Sequence, residues 1–291
     1  MTTFATPEPI SVGLELGVGD VRIEATDRAD TVVEVRPSDP SKEEDVAAAE
    51  QTVVEYANGH LLIKAPTGWR LWTSWAGHES IDVSVGLPAG SRVRAEAGVA
   101  SLRCHGRIGE SRCKVGVGDI QLDEAGPVDL KTGIGDITVG RAVGKAVLVS
   151  GSGVVRIGHV QGPAVVKNSN GDTWIGEVTG EARMNAANGT ITIDLAHEGL
   201  AAKTAKGDVR LGEVERGTVV AQSAFGDLEV GVRDGVAAWL DLQTKFGDVR
   251  NELEASESPG ASEDAVEVHA KTSFGDITVR RSVASRAGKQ A

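Results

Sequence analysis

Only two cysteines occur in 291 residues, Cys104 and Cys113, so no disulfide framework can hold this chain together. Aromatic residues make up 3% of the sequence, with a single tyrosine, and proline occurs nine times. So few large rings exclude a bulky globular core and favour thin layers of small apolar side chains, chiefly valine and alanine. Lys and Arg together number 30 against 42 Asp and Glu, giving a net charge of −12. That deficit of positive charge argues against a sequence-independent nucleic-acid binder, which needs cations to displace phosphate counterions. It equally disfavours adsorption to an anionic membrane. No window approaches the roughly 18 apolar residues of a membrane span. The first twenty residues lack the basic and apolar regions of a secretory signal, so the expected location is cytoplasmic, with surface association as the alternative.

Glycine, by contrast, is abundant at 37 residues, and it is periodic. Leading glycines fall at Gly98, Gly118, Gly135, Gly153, Gly171, Gly189, Gly207, Gly226, Gly247 and Gly275, with four consecutive intervals of 18 residues. After most of them an apolar–polar–apolar run follows, as in Ile120/Leu122, Ile137/Val139, Ile191/Ile193, Val209/Leu211 and Ile277/Val279, with Thr173/Ile175 a milder version. This period-2 alternation marks a short strand with one buried face. A second apolar pair lies seven and five residues before the next glycine, followed on the same parity by a small, mostly polar residue: Thr132, Ser150, Asn168, Ala186, Thr204, Ser223, Thr244 or Thr272. These form an inward column whose hydroxyls and amides bond along the stack or to the corner backbone.

A unit of about 18 residues cannot bury its own apolar face, so each unit must stack on the next. The predicted fold is all-β: a single-stranded parallel β-helix, or β-solenoid, of about 18-residue coils with an N-terminal β-cap. Residues 1–97 form the cap and 98–280 the solenoid, with an acidic loop at 251–265 and a disordered basic tail at 281–291. Within the cap, strands are expected at 10–16, 21–25, 31–35, 52–56, 61–64, 81–85 and 91–95. Asn58-Gly59 reads as a hairpin turn. Ser41-Lys42-Glu43-Glu44 reads as the capped start of one helical turn.

The Gly-Asp corners place Asp119, Asp136, Asp172, Asp208, Asp227, Asp248 and Asp276 in a column broken by Val154 and Thr190. Asp at a tight corner accepts hydrogen bonds from corner amides. The other reading is a Ca²⁺ row, but glycine-rich calcium-binding β-rolls repeat every nine residues, which this chain does not. Phe225, Phe246 and Phe274 precede three successive Gly-Asp corners and are expected to stack as a ladder packed in the core or corner, the alternative being an exposed stripe. Trp69, Trp72 and Trp75 are the candidate partner contact. Their alternative roles are to plug the join between cap and solenoid, to touch a membrane interface or to stack on carbohydrate.

Chemistry is sparse. Cys104-His105 with Cys113 supplies too few ligands for zinc, and both cysteines sit on inward parity. No nucleophile elbow, zincin helix or phosphate-binding loop occurs. No catalytic, cofactor-binding or metal-binding residues are therefore assigned, and the chain is not expected to be an enzyme.

The junction Leu87-Pro88-Ala89-Gly90-Ser91, the repeats of GVGDIQLDEAGPVDLKTGIGDITVG and the recurring S/T-x-F-G-D resemble the bacterial "putative adhesin" proteins that carry a domain of unknown function. The resemblance covers nearly the whole chain. It implies a β-solenoid and brings no catalytic residues. The long regular surface without assembled chemistry leads to a non-catalytic scaffold or binding protein, adhesin-like, whose partner is an unknown protein or a second copy. The alternatives are a self-assembling filament and, less favoured, a polysaccharide-active β-helix enzyme.

Overall fold

The computed structural model describes residues 1–66, 79–253 and 265–282. Contacts divide the chain into two compact units, 1–156 and 157–291. In the first lie β1 (Thr2–Ala5), β2 (Ser11–Thr26), β3 (Asp30–Pro37), α1 (Glu43–Gln51), β4 (Val53–Ala57), β5 (His60–Lys64), β6 (Ile81–Pro88), β7 (Arg92–Ile108), β8 (Ser111–Val117), β9 (Ile120–Ala125), β10 (Val128–Ile134), β11 (Ile137–Val143) and β12 (Ala146–Ser152). β13 (Val155–Gln161) spans the boundary. In the second lie β14 (Ala164–Asn170), β15 (Thr173–Val178), β16 (Ala182–Asn188), β17 (Ile191–Ala196), β18 (Leu200–Lys206), β19 (Val209–Val214), β20 (Gly217–Phe225), β21 (Leu228–Val232), β22 (Ala237–Phe246), β23 (Val249–Asn251), β24 (Ala265–Phe274) and β25 (Ile277–Arg281).

The chain is a parallel β-solenoid with two strands per coil. β11 sends Ile137, Val139 and Ala142 inward; a short turn follows, and β12 sends Ala146, Leu148 and Ser150 inward before the next corner. Each rung pairs in parallel and in register with its neighbour, Val128 with Ala146 and Leu130 with Leu148 in the first unit, Ala182 with Leu200 and Met184 with Ala202 in the second. The inward apolar residues are almost wholly buried. Because every rung offers the same positions, valine, alanine, isoleucine and leucine stack in columns, and layers of small side chains suffice.

Three features of the first unit differ from the sequence reading. β2 is one continuous strand, not two, and it forms a complete parallel rung beside β7, Ser11 opposite Arg92 and Ala25 opposite Gly106. The corner of the β7 rung is Ala100, which pairs with Gly19 and lies 18 residues before Gly118; Gly98 is not the corner. Helix α1 runs for nine residues with Lys42 as its N-cap and no side-chain cap, because the Ser41 hydroxyl donates to Asp39 instead. Its first turn holds Glu43, Glu44 and Asp45, which suit the positive end of the helix dipole. Asn58 and Gly59 both take positive φ, 51° and 77°, and join β4 and β5 as an antiparallel hairpin. β3 and β4 lie antiparallel on β6 and β5 and seal that end of the unit.

In the second unit the last rungs are interleaved. β20 pairs with β24, and β24 pairs with β22; likewise β21 pairs with β25, and β25 with β23. The rung at 265–281 therefore sits between those at 217–232 and 237–251. Among the described residues no helix is long and apolar enough to cross a membrane.

Candidate functional site

The corner edge carries the densest set of side-chain interactions. At Gly135 φ is 142°, and a Cβ there would lie 2.1 Å from the carbonyl oxygen of Gly118 on the rung below. Only glycine combines that backbone with that approach. Next to it, Asp119 accepts a hydrogen bond through Oδ1 from the amide of Asp136 at 2.8 Å, and Asp136 accepts one from Val154 at 2.7 Å. In the second unit Asp172 receives Thr190, Asp208 receives Asp227, Asp227 receives Asp276 and Asp276 receives Asp248, at 2.8–3.0 Å. Among the described residues Asp248 has no further rung to receive, and its side chain is 79% exposed. Asp20, which accepts from Ser101, and Asp82, which accepts from Asp20, extend the pattern. In the sequence Gly17-Val18-Gly19-Asp20 reads as a strand corner, but neither Asp20 nor Asp82 is joined to the column, because their rungs are not consecutive in the chain.

On the inner side of the same corners, Thr132 donates to the carbonyl of Gly118, Ser150 to Gly135, Thr204 to Gly189, Ser223 to Gly207, Thr272 to Gly226 and Thr244 to Gly275, at 2.9–3.3 Å. Most corners thus tie to a neighbour by a carboxylate outside, a hydroxyl inside, or both, although Val154 and Thr190 supply no carboxylate and Ala186 no hydroxyl.

The residue before each corner glycine points outward, even though it shares parity with the inward column, because the chain has already begun to turn. In the first unit this position holds Val18, Val99 (before Ala100), Val117, Ile134 and Ser152, of which Val99, Val117 and Ile134 are 49%, 43% and 58% exposed. In the second it holds Asn170 and Asn188, Lys206, and then the three phenylalanines. The expectation that these pack in the core is corrected: Phe225, Phe274 and Phe246 are 55%, 45% and 65% exposed. They do form a ladder, in the spatial order 225–274–246, with ring centroids 4.9 and 4.8 Å apart and nearly parallel planes. That spacing is the inter-strand repeat itself. Trp69, Trp72 and Trp75 lie outside the described residues, as do 254–264 of the acidic loop and 283–291 of the basic tail.

Among the described residues, titratable groups elsewhere do not converge on a reaction centre. Cys104 and Cys113 are buried, and burial raises the Cys104 thiol well above its usual value and the Cys113 thiol to about 12. Neither is a nucleophile near neutral pH. Among the described residues no group of three or more His, Cys, Asp or Glu side chains is placed to hold a metal ion. A shallow depression of about 600 Å³ in the second unit includes Glu181, Arg183, Glu198 and Arg216, but Glu181 pairs with Arg183 and Glu198 with Arg216. On the opposite edge His159, Glu177, His197, Glu215 and Arg233 form a column in which basic and acidic side chains alternate. His197 lies 2.7 Å from a carboxylate on each ring nitrogen, an arrangement only the imidazolium satisfies twice. Burial lowers its pKa, yet the bonds to Glu177 and Glu215 outweigh that and hold it above the usual value. The bond from His197, aided by His159 against desolvation, holds Glu177 below the usual carboxylate range.

With these corners and rungs in view, residues 12–280 match the family described as Toastrack DUF4097, a domain of unknown function. The chain belongs to that family. No curated protein matches it. Solved structures similar to this Toastrack chain include a "putative lipid binding protein" from Parabacteroides distasonis, 14% identical, covering 96% of this chain and 95% of that one with a TM-score of 0.41. A "putative cell adhesion protein" from Clostridium sporogenes is 11% identical, covering 96% and 98%, with a TM-score of 0.23. A "putative adhesin" from Bacteroides fragilis is 9% identical, covering 96% and 95%, with a TM-score of 0.31.

Proposed function

We propose that this Toastrack chain is a non-catalytic, adhesin-like binding scaffold that engages a protein partner through its corner edge. The exposed phenylalanine ladder of the second unit carries the reading. Three rings held parallel by the backbone repeat are fixed before any partner arrives, so binding costs little side-chain entropy. Exposed aromatic clusters on rigid elements are preferred contact sites. The chemistry around them supports binding over turnover: the corner carboxylates are engaged by backbone amides, and the cysteines are held as thiols.

The test compares what the tagged full chain and the triple variant Phe225→Ser/Phe246→Ser/Phe274→Ser retain from host extract and host cell surfaces. The variant is expected to lose the partner while keeping its circular dichroism. An unchanged set of retained proteins would overturn the reading.

A further inference from the structure

The outer rung of the second unit is left open. Among the described residues β22 pairs with β24 along one edge and with no strand along the other, and β23 pairs with β25 alone. Its inward side chains are not covered either. Val249 is 45% exposed where Ile277, its in-register neighbour, is 0%; Leu240 and Leu242 are half-buried where Val268 and Ala270 are buried. The outer rung of the first unit is different, with Leu61, Ile63, Val83 and Val85 at 0–1% exposure. A strand with free amides and carbonyls and an apolar inner face recruits another strand unless its charges prevent it.

Those charges select the occupant. The outward residues of β22 are Trp239, Asp241, Gln243 and Lys245. In an antiparallel, two-fold pairing centred on Gln243, Asp241 stands opposite Lys245 of the second copy, and the pair occurs twice. On the inner face Leu242 then meets Thr244, and Leu240 falls opposite Phe246, whose ring has already turned outward. Trp239, 77% exposed, falls opposite the corner Gly247. Centring on Asp241 or on Lys245 sets like charges face to face, and centring on Leu242 or Thr244 pairs neither charge with its opposite. Lys245 makes no ion pair among the described residues, whereas Asp241 accepts from Gln243 and lies 3.4 Å from His269. A dyad perpendicular to the sheets keeps each strand in its own plane, so β22 meets its copy and β23 meets its copy.

We propose that the β22/β23 rung is an isologous interface through which two copies of this chain join end to end. An isologous contact closes on itself, so the assembly stops at two copies and does not run on as a filament.

The experiment is light scattering and sedimentation of the full chain across a concentration series, with charge-reversed and cysteine variants. The expected species has twice the 30.2 kDa protomer mass. Asp241→Lys alone and Lys245→Asp alone are each expected to yield monomer, and the double variant to restore the dimer. Gln243→Cys is expected to cross-link on oxidation. Gln222→Cys, two rungs inward in the same column, is expected to stay monomeric on a non-reducing gel. A wild-type chain that stays monomeric at the highest concentration would overturn the proposal. So would a dimer that survives both single charge reversals and fails to cross-link at position 243.

Discussion

At Gly207, where φ is 140°, a methyl group would lie 2.2 Å from the carbonyl oxygen of Gly189. The neighbour is backbone held by its own rung, so it cannot move aside. Gly207→Ala is therefore expected to destabilise the chain by about 3 kcal/mol in urea titration. Gly17→Ala, at a site with nothing within 4 Å, should stay within about 0.5 kcal/mol of the parent. The hydroxyl column makes a similar contrast. Thr272→Val keeps the shape but leaves the carbonyl of Gly226 without its donor, at a cost of about 1 kcal/mol. The same change at Thr244, on the half-open outer rung, should cost less, since water can replace the lost donor. Equal losses at the two sites would show that the rungs are equally sealed.

At the level of strands and columns, the histidine–glutamate edge makes stability depend on pH in two directions. The folded pKa of His197 is raised, so its contribution is complete below the unfolded value and is lost as pH rises through the folded one. The folded pKa of Glu177 is lowered, so its contribution is complete above the unfolded value and is lost as pH falls through the folded one. Thermal unfolding should therefore show the largest gap between the parent and His197→Gln in mildly acidic buffer, with the gap closing on the alkaline side. A gap independent of pH would show that the column is only packed, not charged. Much of this scale was legible beforehand. Four 18-residue intervals announced the rung, and Asn58-Gly59 announced the hairpin, because both depend on local backbone rules. The outward turn of Phe225, Phe246 and Phe274 was not legible, because inward parity predicts burial only while the strand stays straight. The rung formed by β2 was hidden as well, since its partner lies 81 residues away and spacing along the chain reports only contiguous neighbours.

At the level of the whole chain, sequence gave the repeat but not the rung order, for a physical reason. The intervals of 21 and 28 residues between Gly226, Gly247 and Gly275 measure the chain used to make each coil, not the edge on which that coil lands. The open outer rung was likewise hidden: Leu240, Leu242 and Val249 are as apolar as their covered equivalents, and only position distinguishes them. Removal of residues 265–291 should therefore be more damaging than trimming an end. It takes out an inner rung and leaves β22 and β23 without their only described neighbours. Limited proteolysis of that truncation is expected to cut first within 237–253, where the parent chain resists; equal resistance would show that β22 can dock directly on β20.

Interleaving also bears on how the second unit is completed. A solenoid grown by accretion would lay each new coil on the one just made, and its final coil would be its lid. Here the lid is synthesised first and the filling arrives afterwards, so 237–251 has no permanent seat until 265–281 has slipped beneath it. Closure of this end is thus expected to be one concerted event that waits for 265–281, the last described rung to be made.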